Sequence, residues 1–254
     1  ECDVIFICTP VSFISYYVKE LEKYVKKGCI ITDTGSTKKT IINETKNCSV
    51  EFIGGHPMIG SERSGYETSK DFLFENSYYI ITKGEKNSDK SINILKELVM
   101  EIGAIPIIID EGKHDYITSC ISHVPHIVAS SLVRLVKNSD DENETMKTLA
   151  AGGFKDITRI ASSDPTMWEN ICSENKDEIL KNLDKLIMIL QEFKSNITNK
   201  EETFDFFETS KIYRDSFINK KINGNTMPEL NISVKDENGA IAKVTTILSD
   251  NNIG

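Results

Sequence analysis

"CIITDTGSTKKTIINETKNCSVEFIGGHPMIG", residues 29–60, holds two apolar runs of strand length with a short helical pattern between them. The runs "CIITDT" (29–34) and "VEFIGG" (50–55) are nearly continuous in apolar and β-branched residues, as strands covered on both faces are. The helical pattern lies near 37–47. Each run ends in small or polar residues, "DTGSTK" (33–38) and "GGHPMIG" (54–60). Strand, helix and strand at this spacing make one parallel crossover unit.

The alternation continues on both sides. "DVIFICT" (3–9), "SYYIIT" (77–82) and "AIPIIID" (104–110) read as strands, and helical patterns cover 12–27, stopped by Gly28, and 88–102, stopped by Gly103. The expected fold is α/β: a doubly wound sheet of parallel strands with crossover helices. From Gly112 to Lys221 strand signals vanish and helical ones take over. Ile179, Leu183, Leu186, Leu190, Phe193 and Ile197 form a 4-3-4-3-4 seam that must bury against another helix, in this chain or in a partner subunit. "NGNTMPE" (223–229) reads as a linker, followed by a strand-like "LNISVKD" and a helical "AIAKVTTILSDNN". The expected organisation is therefore 1–111, an α/β unit; 112–222, an all-helical domain; 223–229, a linker; and 230–254, the first β-α of a small domain. Starting on a strand and stopping directly after a helical pattern, the chain reads as a fragment of a longer polypeptide.

Composition narrows the function. Over 254 residues the net charge is −9, which argues against nucleic acid or an anionic membrane as partner. No apolar run approaches the ~20 residues that span a bilayer. The six cysteines are scattered singly without CxxC pairs. Cys8 and Cys29 fall in apolar runs, so they read as free buried thiols of a cytoplasmic protein rather than as disulfides or metal ligands.

Ligands of an open parallel sheet bind beyond the carboxyl ends of its strands. Three such ends carry Thr9, Ser36 and His56, and the topology brings them toward one crevice. His56 is expected in a turn after its strand, stiffened by Pro57 and loosened by Gly54, Gly55 and Gly60. The other three histidines, His114, His123 and His126, lie in "KHDYITSCISHVPHIVAS" on one expected helix, kinked at Pro125. His123 and His126, at i and i+3, share a face. They are open to three readings: a zinc site, satisfied core histidines, or a polar pocket that binds an anion. Farther on, Arg159 either pairs with Asp156 or grips a carboxylate bidentately.

"DTGSTK", "GGHPMIGSERSG", "HDYITSCISHVPH" and "GGFKDITRIASSDPTMW", in this order and spacing, resemble prephenate dehydrogenase, over residues 1 to about 220. The tail "LNISVKDENGAIAKVTTILSDNNIG" resembles the start of an ACT domain. The resemblance implies that 1–111 is the C-terminal part of a Rossmann-type dinucleotide-binding domain, a partial Rossmann sheet, with NAD as cofactor and NADP not separated from it by the residues present. It implies prephenate as substrate, a homodimer formed through the helical domain, and tyrosine as a regulator at the ACT domain. By the same resemblance His56 is the catalytic base and Ser36 orients it. Arg159 and His126 hold the substrate's carboxylates, His123 lines the pocket, and Ser61 and Glu62 form a polar gate. Asp156, Trp168 and Gly152 support the pocket from behind, and Thr9, Pro10 and Ser36 lie against the nicotinamide ribose. The alternatives are an arogenate or cyclohexadienyl dehydrogenase, or a non-catalytic relative that senses carboxylates or amino acids. The glycine-rich phosphate turn belongs to the first βαβ unit, which is expected to precede residue 1.

Overall fold

The computed structural model describes residues 2–60, 65, 67, 69–199, 202–217, 232, 234 and 237–251. Five strands, β1 (Val4–Ile7), β2 (Ile30–Asp33), β3 (Glu51–Pro57), β4 (Tyr78–Thr82) and β5 (Ile105–Ile108), form one sheet in the order β1-β2-β3-β4-β5. β1, β2 and β3 run parallel, and β4 runs parallel to β5, but β3 and β4 are antiparallel. The all-parallel expectation fails at that one step. A parallel return needs a crossover connection, usually a helix, and among the described residues no helix is assigned between β3 and β4.

The reversal also moves His56. β4 supplies a ladder partner beyond Gly55, pairing His56 with Ile80 and Pro57 with Tyr79. His56 is therefore the penultimate residue of a strand, not a turn residue.

The sheet is covered on both faces, as its apolar strands require. On one face Ile31 and Phe52 pack with Ile14 and Val18 of α1 (Val11–Leu21) and with Ile41 and Ile42 of α2 (Lys39–Thr45). On the other, Ile30, Ile53 and Ile81 pack with Ile92, Leu95 and Val99 of α3 (Asp89–Glu101). Each fully buried side chain of this kind contributes ~1.5–3 kcal/mol. Ser88 caps α3 by accepting from the Ser91 N–H, and Gly103 follows the helix at φ 84°, the left-handed position a glycine fills without strain. α1 is shorter than its 12–27 pattern: past Leu21 the chain tightens into turns and reverses at Gly28, φ 85°. Cys29 is buried as expected, whereas Cys8, just past the end of β1, is exposed.

The remaining described helices are α4 (Glu111–Thr118), α5 (Val124–Ser139), α6 (Thr145–Leu149), α7 (Gly152–Thr158), α8 (Pro165–Glu174), α9 (Lys176–Thr198), α10 (Phe204–Asp215) and α11 (Ala240–Asp250). α4 and α5 join through a π-helical turn, Ser119–His123, in which the Val124 N–H reaches the Ser119 carbonyl. Pro125 lacks an N–H and would clash with the carbonyl four residues back, so the widened turn accommodates it. Glu111–Ser139 is thus one run of 29 residues, long and apolar enough by length and composition to cross a membrane. In the sequence Ser, Thr and His interrupt this run, so it does not stand out as a continuous apolar stretch. In the fold those polar residues are buried: His114, Asp115, Thr118, Ser119 and His123 are all 1% exposed or less.

Two compact units divide the chain, Glu1–Leu190 and Gln191–Gly254. Within the first, α8 lies against α1 and α4 against α2. The expected seam on α9 starts buried at Ile179, while Leu190 farther along is 57% exposed. The linker at 223–229 and most of the strand-like stretch after it lie outside the described residues, as do Ser61 and Glu62.

Candidate active site

The ends of β2 and β3 are tied together by one buried carboxylate. Asp33 accepts from the Gly55 N–H through Oδ1 at 2.9 Å and from the Gly35 N–H through Oδ2 at 2.8 Å. Its Oδ2 also pairs with the ammonium of Lys38, and neither side chain is exposed. Burial pulls the Lys38 ammonium below its ordinary pKa, against the opposing pull of Asp33. Such a pair endures only when both members are fully bonded. It also explains the double glycine. A Cβ on Gly54 would stand 2.1 Å from Thr82 Oγ1 and 2.8 Å from Lys38 Cδ, and one on Gly55 would stand 2.4 Å from the Asp33 carbonyl oxygen. The glycines serve close packing, not a turn.

His56 leaves this knot at the mouth of a cavity. Its Nδ1 lies 2.8 Å from Nε2 of His114 on α4. His114 Nδ1 lies 2.6 Å from Asp115 Oδ1. Asp115 in turn accepts from the backbone N–H groups of Lys38 (2.8 Å) and Lys39 (3.0 Å), capping α2, which has no side-chain cap of its own. Burial holds His56 well below the ordinary imidazole pKa, and His114, Lys38 and His123 push the same way, so the ring is neutral at pH 7.

The cavity, about 470 Å³, is lined by Ser36, His56, His123, His126, Arg159 and Trp168, with Met58, Ile160, Met167 and Ile171 among its apolar walls. His126 stacks on Trp168 with ring centroids 3.7 Å apart, and its Nδ1–H donates to the Ser122 carbonyl at 3.0 Å. Burial lowers its pKa while that carbonyl opposes the shift. His123 accepts at Nδ1 from Asn175 Nδ2 (3.1 Å), which also donates to the Asp115 carbonyl (2.8 Å). Burial, the largest influence on it, takes the His123 pKa down to about 4. Trp168 Nε1 is buried without a partner among the described residues.

A second cavity of about 330 Å³ adjoins the first, sharing Ser36, Met167 and Ile171 with it. Thr9, Pro10, Thr34 and Gly35 line it on the sheet side, and Asp164 and Asn170 on the helical side. Thr9 Oγ1 is a second buried polar atom without a partner among the described residues. The strand-end residues are thus gathered in pairs, His56 with Ser36 and Ser36 with Thr9. Gly152 and Asp156 are exposed on α7 and line neither cavity. Among the described residues no group of three His, Cys, Asp or Glu side chains is placed to hold a metal ion.

Asp33, Lys38 and Asp115 are given no role by their sequence pattern, and His114 is left among the three readings open to the helical histidines. The bonds that join them to His56 and α2 span 58, 76 and 77 residues, so no local period signals them. The adjacent "HD" in "KHDY" is the one sequence cue, a ready donor–acceptor pair.

Arranged this way, the residues offer a neutral base, a cationic clamp and a stacked imidazole around one cavity, with polar backbone and hydroxyls around its neighbour. Two family models match the chain: "Prephenate dehydrogenase, nucleotide-binding domain" over residues 1–108 and "Prephenate dehydrogenase, dimerization domain" over 110–212. The chain is 38% identical to a prephenate dehydrogenase of Bacillus subtilis, across 98% of this chain and 69% of that protein. It is 36% identical to one of Lactococcus lactis, across 98% and 71%. Among solved structures it is similar to prephenate dehydrogenase from Aquifex aeolicus in complex with hydroxyphenyl propionate and NAD+, with a TM-score of 0.79 and 32% identity over 85% of this chain and 76% of that one.

Proposed function

The chain belongs to the prephenate dehydrogenase family, and from that premise we propose that the two adjoining cavities divide its reaction between them. The reaction is NAD-dependent oxidative decarboxylation of prephenate to 4-hydroxyphenylpyruvate and carbon dioxide. The observation that carries the assignment of roles is the place of His56. It faces the Arg159 cavity, and its Nδ1 is already engaged by His114.

Prephenate presents a ring carbon bearing hydrogen and hydroxyl, and opposite it a carbon bearing a carboxylate. His56 takes the hydroxyl proton as the C–H bond breaks with its electron pair. The ring carboxylate then leaves as carbon dioxide, its bonding electrons pass through the ring to the new oxygen, and His56 returns the proton there. A neutral imidazole is required, and burial keeps His56 neutral. Arg159 suits a carboxylate through its planar fork of donors. His126, with Nδ1–H committed to Ser122, becomes a second cationic donor when protonated at Nε2. Ser36, common to both cavities, is placed to orient the hydroxyl.

The second cavity fits the nicotinamide end of NAD: the orphaned Thr9 hydroxyl and the Thr34–Ser36 strand end offer polar partners to a ribose and carboxamide. Bound there, NAD supplies the acceptor for the hydride. Residues 112–222 are assigned to the helical domain through which two copies pair, and 230–254 to the start of an ACT domain that binds tyrosine. The apolar exposed face of α9 supports the first assignment, and the strand-and-helix pattern of the tail supports the second.

The test is steady-state kinetics of the full-length protein with NAD and prephenate, with arogenate as a parallel substrate. His56→Asn is expected to lower kcat by roughly 10²–10⁴-fold and to leave prephenate KM within about threefold. Arg159→Ala is expected to raise KM by roughly 10- to 100-fold, the worth of a charge-assisted hydrogen bond. Near-normal kcat in His56→Asn overturns the assignment of the base.

A further inference from the structure

His56 can act as a base only from a nitrogen that carries no hydrogen, and it has two nitrogens to choose from. We propose that Asp115 and His114 make that choice, fixing His56 as the Nδ1–H tautomer so that Nε2 meets the substrate as a bare acceptor. The inference rests on the reading of His56 as the base and adds two positioning residues to it.

The chain of hydrogen bonds leaves one consistent arrangement for a neutral histidine pair. The Asp115 carboxylate is an acceptor only, already held by the Lys38 and Lys39 backbone N–H groups. His114 Nδ1, 2.6 Å away, must therefore be the donor. A neutral His114 then has a lone pair on Nε2, and His56 Nδ1, 2.8 Å from it, must donate in its turn. The hydrogen of His56 is consumed facing the protein, and Nε2 is left bare. A doubly protonated His114 would force the opposite result, with hydrogen on His56 Nε2 and no base in the cavity.

The anchor of the chain is bonded on several sides. Asp115 caps α2 through two N–H groups, its own carbonyl is held by Asn175 at 2.8 Å, and His114 is wholly buried. The register of α4 against α2 thus sets the tautomer of a residue on β3. Nothing in this arrangement needs a proton to travel from His56 to Asp115. Hydrogen-bond direction suffices, so a side chain able to accept from His56 and donate to Asp115 would replace His114.

The experiment is nitrogen NMR on ¹⁵N-histidine-labelled protein, tractable because the chain has four histidines; the His56 signals are identified by their loss in His56→Asn. The wild type should show His56 protonated at Nδ1 and bare at Nε2. His114→Leu should shift His56 toward Nε2–H and lower kcat roughly 10²-fold or more with prephenate KM moved less than about threefold. His114→Gln, whose amide oxygen and nitrogen can take the two imidazole roles, should restore both the tautomer and most of kcat. Hydrogen on His56 Nε2 in the wild type overturns the proposal even if no variant folds, as does a His114→Leu enzyme with unchanged kcat. If the tautomer is as stated but the wild type reduces no NAD with prephenate, the tautomer-setting arrangement stands and the reading of the reaction falls.

Discussion

His123 and His126 sit three residues apart on neighbouring turns and play opposite electrostatic parts. His126 is partly open to the cavity and can take up a proton toward a carboxylate. His123 is 1% exposed, and its Nδ1 accepts from Asn175, so a proton there would break the bond and bury a charge. Its pKa of about 4 against an ordinary 6.5 fixes the sign of a pH effect. Between those values the unfolded chain holds more protons than the folded one, so stability falls as pH is lowered through that window. At pH 5 His123 alone should cost about 2 kcal/mol relative to pH 7. Urea unfolding at the two pH values measures the loss, and His123→Gln should flatten the difference by about that amount. Equal pH dependence in wild type and variant would show that other groups govern acid sensitivity. These roles separate only in three dimensions: both residues are visible in "SHVPH", but their different burial is set by Asn175, 52 residues from His123, and Trp168, 42 residues from His126.

At the scale of elements, β3 shows what the sequence could and could not reveal. Its apolar start is legible from "VEFI", and so is the presence of chemistry at its end. Its length is not, because the last two residues are held by β4 in an antiparallel pairing that no local signal announces. The same partner explains why two glycines precede His56. The backbone of β3 passes so close to the Asp33 carbonyl and the Tyr79 hydroxyl that a methyl group on Gly55 has nowhere to go. Gly55→Ala should therefore cost about 3 kcal/mol or more and should lower kcat by tilting His56 away from His114. Gly153→Ala, whose Cβ would meet nothing within 4 Å, serves as the control and should lie within about 0.5 kcal/mol of wild type. Denaturant midpoints of the two variants decide the matter; comparable values would mean that β3 can retreat from Asp33. The π-helical turn before Pro125 is a similar case. The proline makes a disruption certain, whereas a widened turn that leaves the helix continuous is one of several outcomes the sequence allows.

For the whole molecule, the alternating strands and helices that end near residue 110 were enough to read the architecture, and the polar strand ends enough to locate the site. What joins the sheet to the helices, the Asp115 cap on α2 and the His114–His56 bond, was not legible, since it depends on pairs 58 to 77 residues apart. The surface carries one more consequence. On α9, Ile187, Met188 and Leu190 are 42%, 67% and 57% exposed, an apolar stretch of the kind that marks an interface rather than a solvated face. A second copy of the chain is the proposed cover. A two-fold interface uses the same patch twice, so each substitution counts twice. A charge at Leu190 that costs about 2 kcal/mol per site would then cost about 4 kcal/mol per dimer, or roughly 10³-fold in Kd. Sedimentation equilibrium should find the wild type dimeric at micromolar concentration and Leu190→Glu largely monomeric. Because both cavities are lined within the first unit of one chain, the monomer should still reduce NAD with prephenate at a measurable rate. A dimeric Leu190→Glu would place the interface elsewhere, and a monomer that binds prephenate but has no turnover would mean that the partner contributes to the site.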